Sequence, residues 1–468
     1  MPASVSVKMY NQLNLGDCFL LTFSEEEQRS FVLIDFGSYE SGNDDREMEI
    51  AEDIQKTVGN QPLTIVLTHQ HRDHLSGFIS CVSVFKKMKI REVWLSYLDD
   101  PGGPEAITMR KRTEQFWNKN KRIKKLVKDK FNSVASVRKM LHSKEGFDLF
   151  AEDQTGGEAI TNLLTWSKNK KKFLIPGQHF DLPLIGNDQV KVYVLGPPTD
   201  PELMRKLNPG KGEGVHGLGA MMELMNMDTS TNLMADALSS LSSSVTTTKS
   251  MENFPFNKKY STHDGDQRDL DYIKGLYNKK DNAWRRIDHE WLSEVGRVSL
   301  HMHSLTNNSS LVLAFELVES GKVLLFVGDA QIGNWKSWKD VSFENTNVDI
   351  YDLLTRTVLY KAGHHGSHNA TLLESLDLMN TEELVIMVPV NEKISKKRRF
   401  SMLRPGMMLG YNRKTCGRVL RSDTIFHKAD STNCYKFPFA KTDKDFKPKI
   451  RIGKDNTGGH LFIEYVVT

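Results

Sequence analysis

The feature that most constrains this chain is a histidine-rich loop directly after a short apolar run. Residues 64–68 (TIVLT) have the β-branched character of a buried strand, and the hexapeptide 69–74 (HQHRDH) follows at once. This loop offers imidazole and carboxylate groups close enough together to bind two adjacent divalent cations. The expected ligands form two pairs, His69 with His71 and Asp73 with His74.

The surrounding sequence predicts an α/β fold. Strand patterns precede the loop at residues 5–13, 18–23 and 29–36, and residues 45–57 have helical spacing with acids at the start. Residues 75–88 are expected to continue as a helix, and 91–97 as a strand. Further strands are predicted in the segments 189–198, 309–330, 356–361, 382–390, 418–423 and 460–467.

HQHRDH is similar to the HxHxDH signature of the metallo-β-lactamase superfamily, whose fold is an αββα sandwich with a two-metal site. The resemblance implies that Asp329 in LLFVGDA bridges the metals and that His365 in GHHGSH is the last ligand, with His364 as an alternative. The order NNSSLVLAFEL, LLFVGDA, LYKAGHHGS resembles most the nuclease-like domain of bacterial competence DNA-uptake proteins. The family resemblance covers residues 5–98, 188–198 and 297–425. The implied cofactors are two divalent ions, zinc first, with manganese or magnesium as alternatives.

One position departs from that family pattern. Many members place a further histidine before the strand that leads to the bridging aspartate, and here the position falls near Thr306 or Asn307. Asn307 or Asn308 could supply an oxygen ligand or a substrate contact, His303 could reach in, or one metal could keep an open position. A turn before a strand explains the two asparagines equally well.

Other residues near the ligand loops are candidates for supporting roles. Lys361, Ser367 and Asn369 are expected to contact substrate, and His368 to protonate a leaving group or to form a structural hydrogen bond. Asp17 and Asp35 lie at strand ends near the metal edge by resemblance. Asp35 is expected to orient a histidine ligand, although a simple turn aspartate fits as well.

The core pattern is interrupted by two insertions. Residues 101–186 are charged and helix-like, and 201–295 contain a Ser/Thr/Met-rich flexible loop. The expected parts are 1–100 (first half of the core), 101–186 (basic helical insertion), 187–200 (core strand), 201–295 (second insertion), 296–425 (second half) and 426–468 (basic extension ending in a strand). The insertions are expected to gate the site or to bind a protein partner or an operon-encoded regulator.

Charge along the chain is segregated although the formal net charge is only +4. Residues 110–145 hold 13 Lys/Arg and 3 acids, and residues 392–454 hold 18 Lys/Arg and 5 acids. Two basic blocks on an acidic body favour a polyanion substrate, although solvated surfaces explain them as well. Candidate phosphate contacts are Lys124, Lys125, Arg285 and Arg286; the arginine pair also fits an amphipathic helix that packs Trp284 and Trp291 into the core.

Composition excludes several other classes of protein. No apolar run approaches the roughly 18 residues of a membrane helix, and the scattered cysteines favour a reducing cytoplasm without a secretory signal. We therefore expect a cytoplasmic metal-dependent hydrolase with catalytic Asp73, Asp329 and His368, a nuclease acting on DNA or RNA, conceivably in defence against foreign nucleic acid. The alternatives are a cyclic-nucleotide or phosphocholine-type phosphodiesterase, and a regulatory module that binds metal without catalysis.

Overall fold

A computed structural model describes most of the predicted core. It describes residues 2–108, 111, 155–186, 188–206, 268, 271–272, 275–276, 279, 305–367, 369–398, 400, 402–426 and 445–468. The chain divides into two compact units, 1–107 with 153–220 and 304–468 as the first, and 108–152 with 221–303 as the second. All elements given below belong to the first unit. Among the described residues, no helix has the length and apolarity needed to cross a membrane.

Two mixed sheets form the centre of the first unit. The strands of one are β1 Ser4–Tyr10, β2 Cys18–Glu25, β3 Gln28–Phe36, β4 Pro62–Val66, β5 Lys89–Ser96, β6 Lys171–Leu174, β15 Ile450–Lys454 and β16 His460–Val467. Those of the other are β7 His179–Asp181, β8 Val190–Gly196, β9 Val312–Leu317, β10 Lys322–Phe326, β11 Thr357–Lys361, β12 Val385–Val388, β13 Val419–Arg421 and β14 Ile425–Phe426. Their orders are β15-β16-β1-β2-β3-β4-β5-β6 and β14-β13-β12-β11-β10-β9-β8-β7.

Helices connect these strands. They are α1 Asp44–Val58, α2 Arg72–Leu75, α3 Gly77–Ser80, α4 Val82–Phe85, α5 Thr155–Trp166, α6 Pro201–Arg205, α7 Ile332–Ser337, α8 Ile350–Thr355, α9 Leu373–Leu378, α10 Glu392–Arg398 and α11 Pro405–Thr415. In α1, acidic residues occupy the first turn, where their negative charge interacts favourably with the positive end of the helix dipole. Ile50, Ile54 and Val58 are buried on one face of this helix. The α/β class predicted from the sequence is confirmed.

Three groups of buried apolar residues hold these elements together. One group contains side chains from both sheets; in it Phe19 contacts Phe326 with ring centroids 5.6 Å apart, and Phe23 contacts Phe315 at 5.5 Å. The other two groups each join one sheet to helices, with α1 on the first sheet and α7 and α11 on the second. The two sheets therefore share one core, and each covers its other face with helices.

Two segments differ from their predicted form. The helix expected over 75–88 is broken into α2, α3 and α4. Residues 171–181, placed in a helical insertion by their charge, contain β6 and β7, which pair with β5 and β8, so that strand pairing overrides the local charge pattern. The C-terminal extension ends in strand β16, as predicted; β16 pairs antiparallel with β1 and with β15, a strand that was not predicted.

Candidate metal centre

The histidine-rich loop lies where the two sheets meet at one edge. Parallel strands β3 and β4 end next to each other in the first sheet, as β10 and β11 do in the second. The backbone N–H of Leu311, directly before β9, donates to the Thr68 carbonyl after β4 at 2.8 Å, which joins the sheets at this edge. Polar residues that follow these strands are therefore brought together.

Four buried side chains form a group that could hold a metal ion. One ligand atom from each lies within 4.8 Å of every other, and the group consists of Asp17, His74, Asp329 and His365. His74 Nε2 lies 3.3 Å from Asp329 Oδ2, and His365 Nε2 lies 3.8 Å from the same oxygen. Carboxylate oxygens and imidazole nitrogens in one buried cluster are the donor set of zinc and of manganese.

The hydrogen-bond pattern of this group fits a cation. His74 Nε2 and Asp17 Oδ1 are buried and have no hydrogen-bond partner within the described part of the chain. Buried polar atoms are normally hydrogen-bonded, whereas these two only face other members of the group, His74 Nε2 at 3.3 Å from Asp329 Oδ2 and Asp17 Oδ1 at 3.4 Å from His365 Nδ1. A divalent ion accepts electron pairs from both kinds of atom, and the residues present therefore fit a metal site.

Asp73 and the two remaining histidines of the loop border this group. Asp73 Oδ2 lies 3.0 Å from His365 Nε2, and the other ring nitrogen of His365 bonds the Pro389 carbonyl at 2.8 Å. His69 Nε2 lies 3.0 Å from His71 Nδ1. The structure thus places both predicted ligand pairs at one edge, although only His74 of the hexapeptide belongs to the four-residue group.

Asp35 orients His74. Its Oδ2 lies 2.8 Å from His74 Nδ1, and its two oxygens accept hydrogen bonds from the Thr68 N–H at 2.8 Å and the Thr68 hydroxyl at 2.6 Å. Asp35 takes a left-handed backbone conformation with φ 56°, which turns its carboxylate toward the loop. A carboxylate on Nδ1 leaves Nε2 of His74 directed at Asp329, the arrangement found around metal-binding histidines.

Lys361 occupies a different place from the one predicted. It is 1% exposed, donates to the Gly328 carbonyl at 2.7 Å, and forms ion pairs with Asp17 and with Asp329 Oδ1, the latter at 3.5 Å. The side chain is enclosed by carboxylates and does not offer a substrate-facing surface. The expectation of a substrate contact is corrected to a buried partner of the ligand carboxylates.

Charges within the group shift several pKa values. Burial lowers the pKa of His74, but the carboxylates around it, Asp329 foremost, raise it well above its ordinary value. Burial also lowers the pKa of His365, but Asp329 and Asp73 raise it, and the pKa lies above its ordinary value. Burial raises the pKa of Asp329, yet His74 and His365 lower it well below its usual range. Without a metal, these shifts favour an ionised Asp329 beside protonated His74 and His365, whereas burial raises the pKa of Asp17 above its ordinary value.

His69 differs from His74 in its surroundings. Burial, and then the neighbouring His74 and His71, lower the pKa of His69 well below its ordinary value. Its Nδ1 contacts the hydroxyls of Thr68 at 3.1 Å and Ser310 at 3.3 Å. His69 is therefore neutral at physiological pH, the state in which imidazole binds metals.

The asparagine pair divides into two roles. Asn308 is fully engaged: its amide donates to the carbonyls of Leu203 and Met204 at 3.0 and 2.8 Å, and its oxygen accepts from the Asn334 N–H at 2.9 Å. It joins α6 to α7, and this differs from the ligand role considered for it. The amide nitrogen Nδ2 of Asn307 instead lies 3.2 Å from His364 Nε2. Asn307 Oδ1 is buried and has no hydrogen-bond partner within the described part of the chain.

The second histidine of GHHGSH completes the edge. The His364 backbone N–H donates to Asp329 Oδ1 at 3.1 Å, and burial lowers the pKa of its ring to about 4. Both His364 and His365 take left-handed conformations, with φ 40° and 51°. This tight turn directs one ring toward Asn307 and the other toward Asp73.

The remaining predicted residues fall into two sets. Ser367 and Asn369 are both buried and bond each other at 3.2 Å beside the ligand loop. Outside the described residues lie His368, His303, Arg285, Arg286, Lys124 and Lys125.

Asp17 is the residue of the four-membered group that the ligand pattern did not include. Its position is fixed by close backbone packing: its N–H donates to the Asp73 carbonyl at 3.0 Å, and its carbonyl accepts from Gly37 N–H at 3.1 Å. A Cβ on Gly37 would lie 2.4 Å from the Arg72 carbonyl oxygen. The pair Gly16-Asp17 between two strands was the available signal, but it also fits an ordinary turn.

No protein-family model matches the chain. No curated protein matches it either.

Proposed function

We propose that this protein is a metal-dependent phosphodiester hydrolase, and that its substrate is DNA or RNA. The observation that carries the proposal is the buried group of Asp17, His74, Asp329 and His365, in which two polar atoms make no hydrogen bond within the described part of the chain. The group adjoins Asp73, His69 and His71 at a single edge of two sheets. A structural ion would need only the four-residue group, whereas the additional ionisable residues suit catalysis.

We further propose that the fold is the metallo-β-lactamase αββα sandwich. Two mixed sheets that share a core and carry helices on their other faces support this assignment. The positions of the motif residues support it as well, since HQHRDH follows β4, Asp329 follows β10, and His365 follows β11.

The proposed site would hold two divalent ions, zinc first and manganese or magnesium as alternatives. His69 and His71 are the residues proposed for one ion, and the four-residue group for the other. Such ions, when bound, supply Lewis acidity toward a phosphoryl oxygen and lower the pKa of water at the site. Hydrolysis adds one water across the P–O ester bond and yields a phosphate monoester and an alcohol.

The protein's own residues prepare the site for this reaction. Burial raises the pKa of Asp73, but His74 and His365 lower it far more, so the carboxylate is ionised at neutral pH. Its Oδ2 is fixed by His365, whose ring is in turn anchored to the Pro389 carbonyl. Asp73 is therefore a positioned anionic group at the edge of the cluster, available to hold a cation.

The polynucleotide part of the proposal depends on charge. The two basic blocks carry the excess of Lys and Arg, and most of the first block lies outside the described residues. In the second block, Arg421 pairs with Glu392 and Asp423, and Arg398 pairs with Glu40. These arginines stabilise loops, so phosphate binding is assigned to other basic residues.

The test is cleavage of labelled single- and double-stranded DNA and RNA by purified protein loaded with zinc, manganese or magnesium. The double variant Asp73→Ala/His74→Ala should lose cleavage, bound metal and sensitivity to a chelator together. His179→Ala is the matched control, because His179 lies on β7 and bonds the Glu344 carbonyl at 2.8 Å, outside the cluster.

The outcomes separate the candidate functions. Cleavage of a polynucleotide that chelator and double variant both abolish supports the nuclease. Turnover only of cyclic nucleotides or of a small phosphodiester would replace it with the small-molecule phosphodiesterase. Bound metal with no hydrolysis of any phosphodiester would refute the enzyme and leave a regulatory metal module.

A further inference from the structure

The basic segment 398–404, described at residues 398, 400 and 402–404, contacts two loops of the metal centre. At one end, Arg398 donates from Nε to Glu40 at 2.8 Å and lies over the Tyr39 ring at 5.6 Å. The Phe400 ring contacts the same Tyr39, with centroids 5.4 Å apart. The Tyr39 N–H donates to the Leu15 carbonyl at 2.9 Å, two residues before the metal-ligand candidate in that loop. This end of the segment is therefore fixed beside the Asp17 loop.

The other end of the segment lies against the second ligand loop. A Cβ placed on Gly366 would lie 3.7 Å from Leu403 Cδ2, an ordinary van der Waals distance. Gly366 follows His365 directly, so Leu403 packs on the turn that carries this ligand. Leu403 has φ 54°, a left-handed conformation that leucine rarely adopts. The next residue, Arg404, is the N-cap of α11.

Arg404 differs from the other arginines of this region. Its Nε is buried and has no hydrogen-bond partner among the described residues. Arg398 and Arg421, by contrast, each bond carboxylates. A guanidinium that loses water at Nε without gaining an acceptor is unfavourable in the free protein. It becomes favourable when a bound anion supplies the acceptor.

We infer that Arg404 binds an anionic oxygen of the substrate phosphate at the rim of the metal centre. The inference rests on the proposed function and specifies how the substrate is held there. The planar guanidinium presents parallel N–H donors that match two oxygens of one phosphate. Arg404 is thus a substrate-binding residue, whereas the neighbouring Arg398 holds the segment in place.

The experiment measures binding to metal-free protein, so that hydrolysis plays no part. Fluorescence anisotropy of a labelled 12-nucleotide oligothymidylate is followed in EDTA over a range of salt concentrations. Arg404→Ala should raise the Kd about tenfold and lower the slope of log K against log salt by roughly 0.7, the value for one lost phosphate contact on a single strand.

Two variants control this measurement. Arg413→Ala removes the same charge from the exposed far end of α11, about 14 Å along the helix, and should change the Kd less than twofold. Arg404→Lys keeps the charge without the fork and should give an intermediate Kd. Thermal unfolding of the Arg404→Ala protein itself identifies any loss of folding.

The inference is overturned by an Arg404→Ala protein that binds with the wild-type Kd and salt slope. It is also overturned if wild-type protein does not bind the oligonucleotide, or if Arg413→Ala weakens binding equally. Failure of the proposed function is distinct, because it appears as absence of cleavage by metal-loaded wild-type protein. If metal-loaded wild-type protein cleaves the polynucleotide while Arg404→Ala binds the oligonucleotide as wild type does, the nuclease proposal stands. Only the role of Arg404 is then rejected.

Discussion

Replacing Lys361 by methionine tests whether the metal centre is balanced by a buried ammonium. The lysine is 1% exposed and donates to the Gly328 carbonyl at 2.7 Å, while its charge faces Asp17 and Asp329. Burial lowers the pKa of Lys361, but the two carboxylates raise it above its ordinary value, so the group is charged at neutral pH. Methionine keeps an unbranched side chain, one atom shorter than that of lysine, and removes the charge.

The expected loss is large in the metal-free protein. Removing one partner of a buried ion pair leaves an uncompensated charge and costs about 3–5 kcal/mol of unfolding free energy. Here both Asp17 and Asp329 are left without the ammonium. A bound divalent ion would replace the missing positive charge, so the loss should be clearly smaller in the metal-loaded variant than in EDTA.

The assay is urea denaturation of wild-type and Lys361→Met protein, in EDTA and in zinc. Lys339→Met is the matched control, because Lys339 is exposed and should change stability by no more than about 0.5 kcal/mol. A loss of equal size with and without zinc would refute the charge-balance explanation and leave packing alone. No loss in EDTA would refute the importance of the ion pair.

Three further predictions concern the same edge. Asp35→Ala removes the partner that orients His74 and should weaken metal binding by about 10–100-fold in chelator competition; unchanged affinity would reject this role. Because the pKa values of His74 and His365 are raised in the metal-free protein, protons compete with the metal. Affinity should therefore increase from about pH 6 to about pH 8, measured by titration calorimetry; a flat profile would contradict it. Gly37→Ala places a Cβ 2.4 Å from a carbonyl oxygen of the ligand loop and should cost about 1–3 kcal/mol in urea denaturation, whereas Gly157→Ala, with open space around it, should not.

Much of the core pattern was readable along the chain. Residues 64–68 were predicted as a buried strand and lie in and directly after β4, and the helix predicted over 45–57 is Asp44–Val58. These predictions succeed because strand and helix periodicities are local properties of the sequence. The division of residues 72–85 into three short helices was not predicted. Gly77, at the start of α3, packs so closely on the Phe36 ring of β3 that a Cβ would lie 2.4 Å from it, and such a contact depends on a distant strand.

The candidate ligands were readable only in part. The hexapeptide 69–74 concentrates its ligands within one loop, so His69, His71, Asp73 and His74 could be named without a structure. Asp329 and His365 were named through a family resemblance. Asp17 was left out of the ligand set, because an aspartate after glycine has the same local signature in a plain turn as in a metal site.

The sequence by itself determined the strands, the ligand-rich loop and the α/β class, since each depends on neighbours a few residues apart. Only the tertiary structure decided which distant residues meet. Asp73 and His365 lie 292 positions apart and come within 3.0 Å, and Lys361 turned from an expected substrate contact into the partner of Asp17. Charge compensation of this kind depends on burial and on distances through space, and local sequence pattern contains neither.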